Sequence, residues 1–490
     1  MSAGNSSQQD AHYEACHRVL GINQLVDHII GSIGDDRRDH RGTMYNLALT
    51  NKTLADNTFR HLWSKKEGII DFIKLLPDDM WREADSLKGR GKTIVLLQVD
   101  FERATRLRGY AHNLIEFIWH MFNELPSSPS IYHFFDNMPE GFVLFPKLRT
   151  VHWEGCTPGS LALLPGILGP SVIELHVSDY IPAYACHFEC IPKRSPNLLL
   201  LEISRSTIPL NLCEEDPFPH AILDGLNLSN FEIGCQLSAQ AFLTLSAMSR
   251  LENISLTIDD NDEFAYLDFP SDVPCLPSLQ SINVDTPLLD DFCEALVKST
   301  SSSTLEDIRV RTMWPVETDM VSALAQAASA HRLRSFALIA GDEVFDQDVP
   351  ESEYEVTLNT LSPLLQISSM IVLHLEIGSL ALTPGLFHRF GRAFPVLEEL
   401  VLYVSPTQWP TLDALTIIAD AFPILRRVVI PLSVRDIPPI PNDWKSSSIV
   451  YMMEIKSGPV PDQTALAEYL QTVFPRLQTP RHTIMDDVIR

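Results

Sequence analysis

Apolar residues recur along this chain in two rhythms. From Phe145 onward a short phrase returns: leucine, two residues, an aliphatic, one residue, an aliphatic. Its positions are Leu148/Val151/Trp153, Val172/Leu175/Val177, Leu198/Leu201/Ile203, Leu223/Leu226/Leu228, Leu251/Ile254/Leu256 and Leu279/Ile282/Val284. The series continues with Leu305/Ile308/Val310, Leu333/Phe336/Leu338, Met370/Leu373/Leu375, Leu397/Leu400/Leu402 and Leu425/Val428/Ile430. Starts lie 24 to 28 residues apart, except for 37 between Leu333 and Met370. Alternation at the end of each phrase is that of a strand with one face buried. Helical spacing fills six intervals: Leu237–Met248, Leu288–Val297, Met320–Ala330, Pro384–Phe394, Leu412–Phe422 and Ala465–Phe474. Strand and helix alternating at a short fixed period predict an α/β fold. The expected form is an irregular solenoid with parallel strands on its concave side and helices on its convex side.

The second rhythm is confined to the start of the chain. In Val19–Ile33 the apolar residues Leu20, Leu25, Val26, Ile29, Ile30 and Ile33 mark one face of a helix, with Asn23 able to cap its start. Gly34-Asp35-Asp36 opens a polar loop. From Met44 to Trp63 the set Leu47, Leu49, Leu54, Phe59, Leu62 and Trp63 fits two helices broken near Thr50–Thr53. Three helices in about 45 residues make a thin core that gains from packing on something else. Two readings stay open: a cap on the first repeat, or a docking unit for a second polypeptide.

The ordered set Leu25, Ile29, Ile30, Leu47, Ala48, Leu49, Lys52, Phe59, Leu62 and Trp63 resembles an F-box of the kind found in large fungal families. Two positions depart from it. The usual Leu-Pro or Ile-Pro near the start is Leu20-Gly21-Ile22-Asn23, and the usual Val-Cys is Thr50-Asn51. Proline at a helix start presets φ, so its loss loosens that end. Ile69–Trp81 resembles the segment that follows the F-box in those proteins. The repeat period falls in the leucine-rich-repeat range. Of the Asn or Cys that such repeats place three residues after the second aliphatic, the phrases supply one, Cys156. The likeness is thus to degenerate repeats that follow F-boxes. It implies a substrate receptor of a Skp-cullin-F-box ubiquitin ligase, docking a Skp-type adaptor through Leu20, Leu25, Ile29, Ile30, Leu47, Leu49, Leu54, Phe59, Leu62 and Trp63. The alternative is an interaction scaffold with no ligase link.

A client protein would lie on the strand face, on the residues flanking the inward aliphatics. These are Thr150, His152, Glu154, Glu174, His176, Glu202, Asn227, Asn253, Ser255, Asn283, Asp285, Asp307, Arg309, His374, Glu376, Glu399 and Tyr403. They are largely acidic and amide-bearing, which suits a polar or basic client.

Charge narrows the partners further. The formal net charge is −26, with eight Lys/Arg against seven Asp/Glu in residues 1–66 and 29 against 56 beyond. Such an array repels phosphate, so neither nucleic acid nor an anionic membrane is expected. Met1–Asp10 is polar and no long apolar run occurs, giving the expectation of a cytoplasmic or nuclear protein without span or signal. Cys16, Cys156, Cys186, Cys190, Cys213, Cys235, Cys275 and Cys293 are scattered, as free thiols in a reducing compartment would be.

Tests for catalysis and metal binding fail. Gly91-Lys92-Thr93 ends like a phosphate loop, but the earlier glycine is Ser86 and the apolar strand follows instead of preceding. Cys186-His187-x-x-Cys190 lacks a second ligand pair at finger spacing; Cys213 and His220 would make only a loose site. No cofactor, metal or enzymatic role is expected. The organisation read from the chain is a polar N-terminus (1–17), the helical unit (18–66), irregular early repeats (67–144), the solenoid (145–478) and a tail (479–490). Gly341–Glu355, with seven acidic residues and no basic one, is an insertion. In the early repeats Thr93–Val99 is a candidate first strand and Tyr110–Phe122 an amphipathic helix.

Overall fold

The structure is a computed structural model. It describes residues 26, 28–30, 32, 40–50, 52–85, 92–97, 100, 102–120, 135, 138, 142–205, 218–235, 237–257, 276–286, 289, 291–300, 304–341, 355–404, 409–440, 444–457, 460, 462–478 and 481–484. The chain divides into two compact units. One comprises Met1–Glu214 with Asp224–Leu226, the other Glu215–Leu223 with Asn227–Arg490.

In the first unit, helices His40–Ala48 and Lys52–Ser64 precede β1 (Lys65–Glu67). The first helix ends at Ala48, and Thr50 Oγ1 donates to Leu47 O at 2.7 Å just beyond it. A hairpin of β2 (Trp81–Asp85) and β3 (Lys92–Leu96) is antiparallel and stands apart from the main sheet. Then come β4 (Glu116–His120), β5 (Thr150–Glu154), β6 (Glu174–Tyr180) and β7 (Leu200–Arg205). They pair in parallel in the order β1-β4-β5-β6-β7.

The second unit carries β8 (Asn230–Ile233), β9 (Asn253–Thr257), β10 (Ser281–Thr286), β11 (Asp307–Thr312), β12 (Ser335–Ala340), β13 (Glu355–Val356) and β14 (Val372–Ile377). It ends with β15 (Ser379–Leu380), β16 (Glu399–Val404), β17 (Arg427–Pro431), β18 (Met452–Ser457) and β19 (Arg481–Ile484). All but β13 and β15 form one parallel sheet, with neighbours in chain order; β13 and β15 pair with each other. The class is therefore α/β with long parallel sheets of repeat-like connectivity.

Register turns the recurrent phrase into continuous buried rows. Phe231, Ile254, Ile282, Ile308, Phe336, Leu373, Leu400, Val428 and Met453 face one another strand by strand, and each is at most 2% exposed. The second row runs Ile233, Leu256, Val284, Val310, Leu338, Leu375 and Leu402. Full burial of such side chains contributes about 1.5–3 kcal/mol each.

All six helical intervals of the second unit hold helices: Ala239–Ser246, Asp291–Ser299, Thr318–Ser329, Pro384–Ala393, Asp413–Ala421 and Gln463–Val473. Several begin with a side-chain cap. Ser238, Thr383 and Asp462 accept from the amides of Ala241, Leu386 and Ala465. Helices Pro384–Ala393 and Asp413–Ala421 pack so closely that a Cβ on Gly391 would lie 2.6 Å from Cβ and O of Ala421. The strand ends have their own satisfiers. Cys156 Sγ donates to Ser178 O at 3.4 Å, and Thr312 Oγ1 to Trp314 O at 2.7 Å.

Three expectations require correction. Tyr110–Phe122 is not one helix: a helix ends at Ala111 and Glu116–His120 is strand β4, with Phe117 and Trp119 buried. The run YAHNLIEFIWHMF fits both periods, and the alternating aromatics decide for the strand. The fourth phrase is displaced as well. Leu226 and Leu228 are not on a strand; the strand is β8, whose inward pair is Phe231 and Ile233. Finally, Lys92–Leu96 is a strand, but the first strand of the main sheet is Lys65–Glu67. The expected insertion Gly341–Glu355 lies, apart from its end residues, outside the described residues, as do the N-terminus (1–17) and most of the tail.

Candidate functional site

Two surfaces emerge, one on the opening helices and one on the strands. Around the helices, Val26, Ile30 and Met44 are buried together, with Leu47, Leu54 and Leu62 half-buried against them. This is a small core, as the length of the segment requires. The exposed side of the helix of residues 40–48 is Gly42, Thr43, Tyr45 and Asn46, and Leu49 follows at its end. Tyr45 is 56% and Leu49 69% exposed, and Ile29 of the preceding helical turn is 43% exposed. Tyr45 and Leu49 are four residues apart, so they share one face.

The ten expected adaptor-binding residues therefore separate. Ile30 belongs to the unit's own core, and Leu47, Leu54 and Leu62 brace it. Phe59 and Trp63 turn toward the first repeat. The Trp63 ring lies 5.3 Å from Phe72 and 4.6 Å from Tyr110, Lys66 Nζ sits 4.2 Å above it, and Phe59 meets Tyr110 at 6.3 Å. Ile29 and Leu49 face outward. Leu20 and Leu25 lie outside the described residues. Sequence reading missed Tyr45, although its i, i+4 relation to Leu49 carried the signal.

Each unit has its own strand face, and the two differ. In the first unit, Lys65 pairs with Glu116 at 2.6 Å, and Thr150 Oγ1 donates to Glu174 at 2.9 Å. Register sets His152 beside His176, and His176 beside Glu202. The two imidazoles stack with centroids 4.5 Å apart and planes 12° from parallel. His176 Nδ1 lies 2.5 Å from Glu202, His152 Nε2 lies 3.6 Å from Glu116, and His120 bonds to Glu154. Burial and the adjacent His176 hold the imidazole of His152 below its ordinary pKa, with Glu116 opposing the effect.

The second unit shows an amide and hydroxyl ladder. Asn253 Nδ2 donates to Asn230 at 2.5 Å, and Asn283 Nδ2 to Ser255 Oγ at 2.9 Å. Further along, Arg311 lies 3.7 Å from Asp285, and Arg427 pairs with Glu399. His374 lies 3.7 Å from Glu376 and 5.9 Å from the ring of Tyr403. Burial, then the nearby Glu454, raises the phenol of Tyr403. Asp307 and Arg309 occupy β11, with Arg309 exposed. On the same outward row Ala337, Val401 and Val429 are buried.

Of the expected client-facing residues, all but one fall on strands with outward register. The exception, Asn227, is exposed in the irregular segment before β8 and leaves the strand face. Lys65, Glu116 and His120 join that face unforeseen, because β1 and β4 were not read as strands.

The His–Glu pairs could exchange a proton with a ligand, but they stand on an open sheet face. Burial pushes the thiol of Cys156 up to about 12 and that of Cys190 up to about 11, which keeps both protonated. Among the described residues no three His, Cys, Asp or Glu side chains are grouped to hold a metal ion. Among the same residues, no helix is long and apolar enough to cross a membrane. The chain matches none of the protein families and none of the curated proteins with which it was compared.

Proposed function

We propose that this protein is the substrate-receptor subunit of a Skp-cullin-F-box type ubiquitin ligase, working in the cytoplasm or nucleus. Its opening helices act as an F-box-like unit that docks a Skp-type adaptor. Its repeats form a leucine-rich-repeat-like solenoid that holds a client protein on the strand face. The observation that carries this reading is the exposed trio Ile29, Tyr45 and Leu49 on a helical unit with so small a core. Covering such side chains returns about 25 cal/mol per Å² before the costs of association. The receptor would contribute proximity, with covalent ubiquitin transfer done by its partners.

The rival reading, a non-ligase scaffold capped by these helices, draws on a specific contact as well. Phe59 and Trp63 pack on Tyr110 and Phe72 of the same unit, as a cap would. Co-expression with a Skp-type adaptor separates the two. The ligase reading expects a stable complex that Leu49→Asp weakens at least tenfold while the fold survives. A folded protein that forms no complex at micromolar concentrations would leave the scaffold standing.

A further inference from the structure

The strand face of the first unit differs from a generic solvated face in one respect. Neighbouring strands β4, β5 and β6 each set a histidine on it: His120, His152 and His176. Each imidazole has a carboxylate partner, and two of them stack on each other. Around them on the same face stand Glu67, Glu116, Glu154, Glu174 and Glu202, with the ammonium of Lys65. With neutral imidazoles the face is strongly anionic. Each proton taken up by an imidazole cancels one of these negative charges, because carboxylates remain ionised well below the range in which histidine titrates, while the stacked His152 and His176 oppose carrying two charges at once.

We propose that this face is a docking surface for a lysine- or arginine-rich segment of the client protein, and that its grip is released on acidification by His120, His152 and His176. The proposal rests on the client-receptor reading of the strand face and names the chemistry of that client. Charge complementarity selects a cationic partner, since the same field repels acidic peptides and phosphate. Register places Glu116 and Glu174 in one row two strands apart, roughly 10 Å, and Glu67 and Glu202 at the two ends of the next row, a spread that suits a segment lying across several strands. Protonation then acts on the complex twice. It removes net negative charge, and it draws Glu116, Glu154 and Glu202 into ion pairs with their own histidines.

The test uses the full-length chain and an eight-residue peptide of alternating lysine and threonine, with the glutamate counterpart as control. At pH 7.5 and physiological salt the lysine peptide should bind, and the glutamate peptide should not. Glu116→Gln with Glu202→Gln should weaken binding at least fivefold. Glu306→Gln with Glu398→Gln, which removes two carboxylates paired with Arg334 and Arg426 in the second unit, should change it less than twofold. Between pH 7.5 and 5.5 the wild type should lose at least fivefold in affinity, and His152→Asn with His176→Asn should flatten that loss. Equal weakening by both glutamine pairs, or a pH profile untouched by the histidine changes, overturns the proposal. Adaptor binding, measured in parallel, should be the same in all these variants. Its absence in the wild type would remove the ligase reading while leaving the docking face intact.

Discussion

In the repeats of the second unit, inward side chains from Phe231 to Met453 are buried in unbroken register. In the opening helices three buried residues make the core, while Ile29, Tyr45 and Leu49 remain open to water. Both regions use the same residue types. What separates them is whether the next copy of the pattern exists to cover them. A strand in a tandem array meets the next strand about 4.8 Å away, whereas a unit of three helices has no successor of its own kind. Phe59 and Trp63 solve this on one side by leaning on Tyr110 and Phe72. Ile29, Tyr45 and Leu49 are left exposed.

The sharpest way to break the contrast is to make the same kind of change in both regions. Leu338→Ala, at a 0% exposed position between Val310 and Leu375, should cost about 2–5 kcal/mol. Leu49→Ala should stay within roughly 0.5 kcal/mol. Denaturant midpoints of the two variants measure the difference, and equal losses would mean that Leu49 is covered within the chain.

A second probe concerns how tightly the repeats are stacked. Gly391→Ala places a methyl against Ala421 and should destabilise by about 1–3 kcal/mol, visible as a lower thermal midpoint. An unchanged midpoint would mean that the two helices can part without cost. Smaller still is the cap at Ser238, where Ser238→Ala removes the acceptor for Ala241 N and should cost about 1 kcal/mol by the same measurement.

The smallest effect expected is electrostatic. His152 binds its proton less readily folded than unfolded, because burial and His176 oppose the charge. Below the unfolded value near 6.5 the unfolded chain therefore holds more protons, and stability falls as pH falls. His152→Asn should reduce the slope of stability against pH between 7 and 5.5.

Much of the repeat region was legible because its signal is redundant. A leucine three residues before a strand pair of aliphatics recurs at nearly constant spacing, and the intervening helices carry their own period. Where an aromatic or methionine took the inward position the signal faded. Leu114/Phe117/Trp119 and Val450/Met453/Ile455 are the same phrase, each buried in its own unit, yet the first was read as a helix. At β8 three leucines just upstream imitated the phrase and drew the reading away from Phe231 and Ile233. The site was less legible than the fold. The apolar pattern marked the residues of the opening helices but not their directions, because helices this short can turn several faces inward. Which face Trp63 took depended on Phe72 and Tyr110, residues outside the segment.

The central claim concerns the open face of the opening helices, and a calorimetric titration of the full-length protein with a Skp-type adaptor tests it most directly. The account predicts a one-to-one complex whose affinity falls at least tenfold in Leu49→Asp and is little changed in Glu116→Gln. Absence of heat with the wild type, or equal binding by Leu49→Asp, would contradict it.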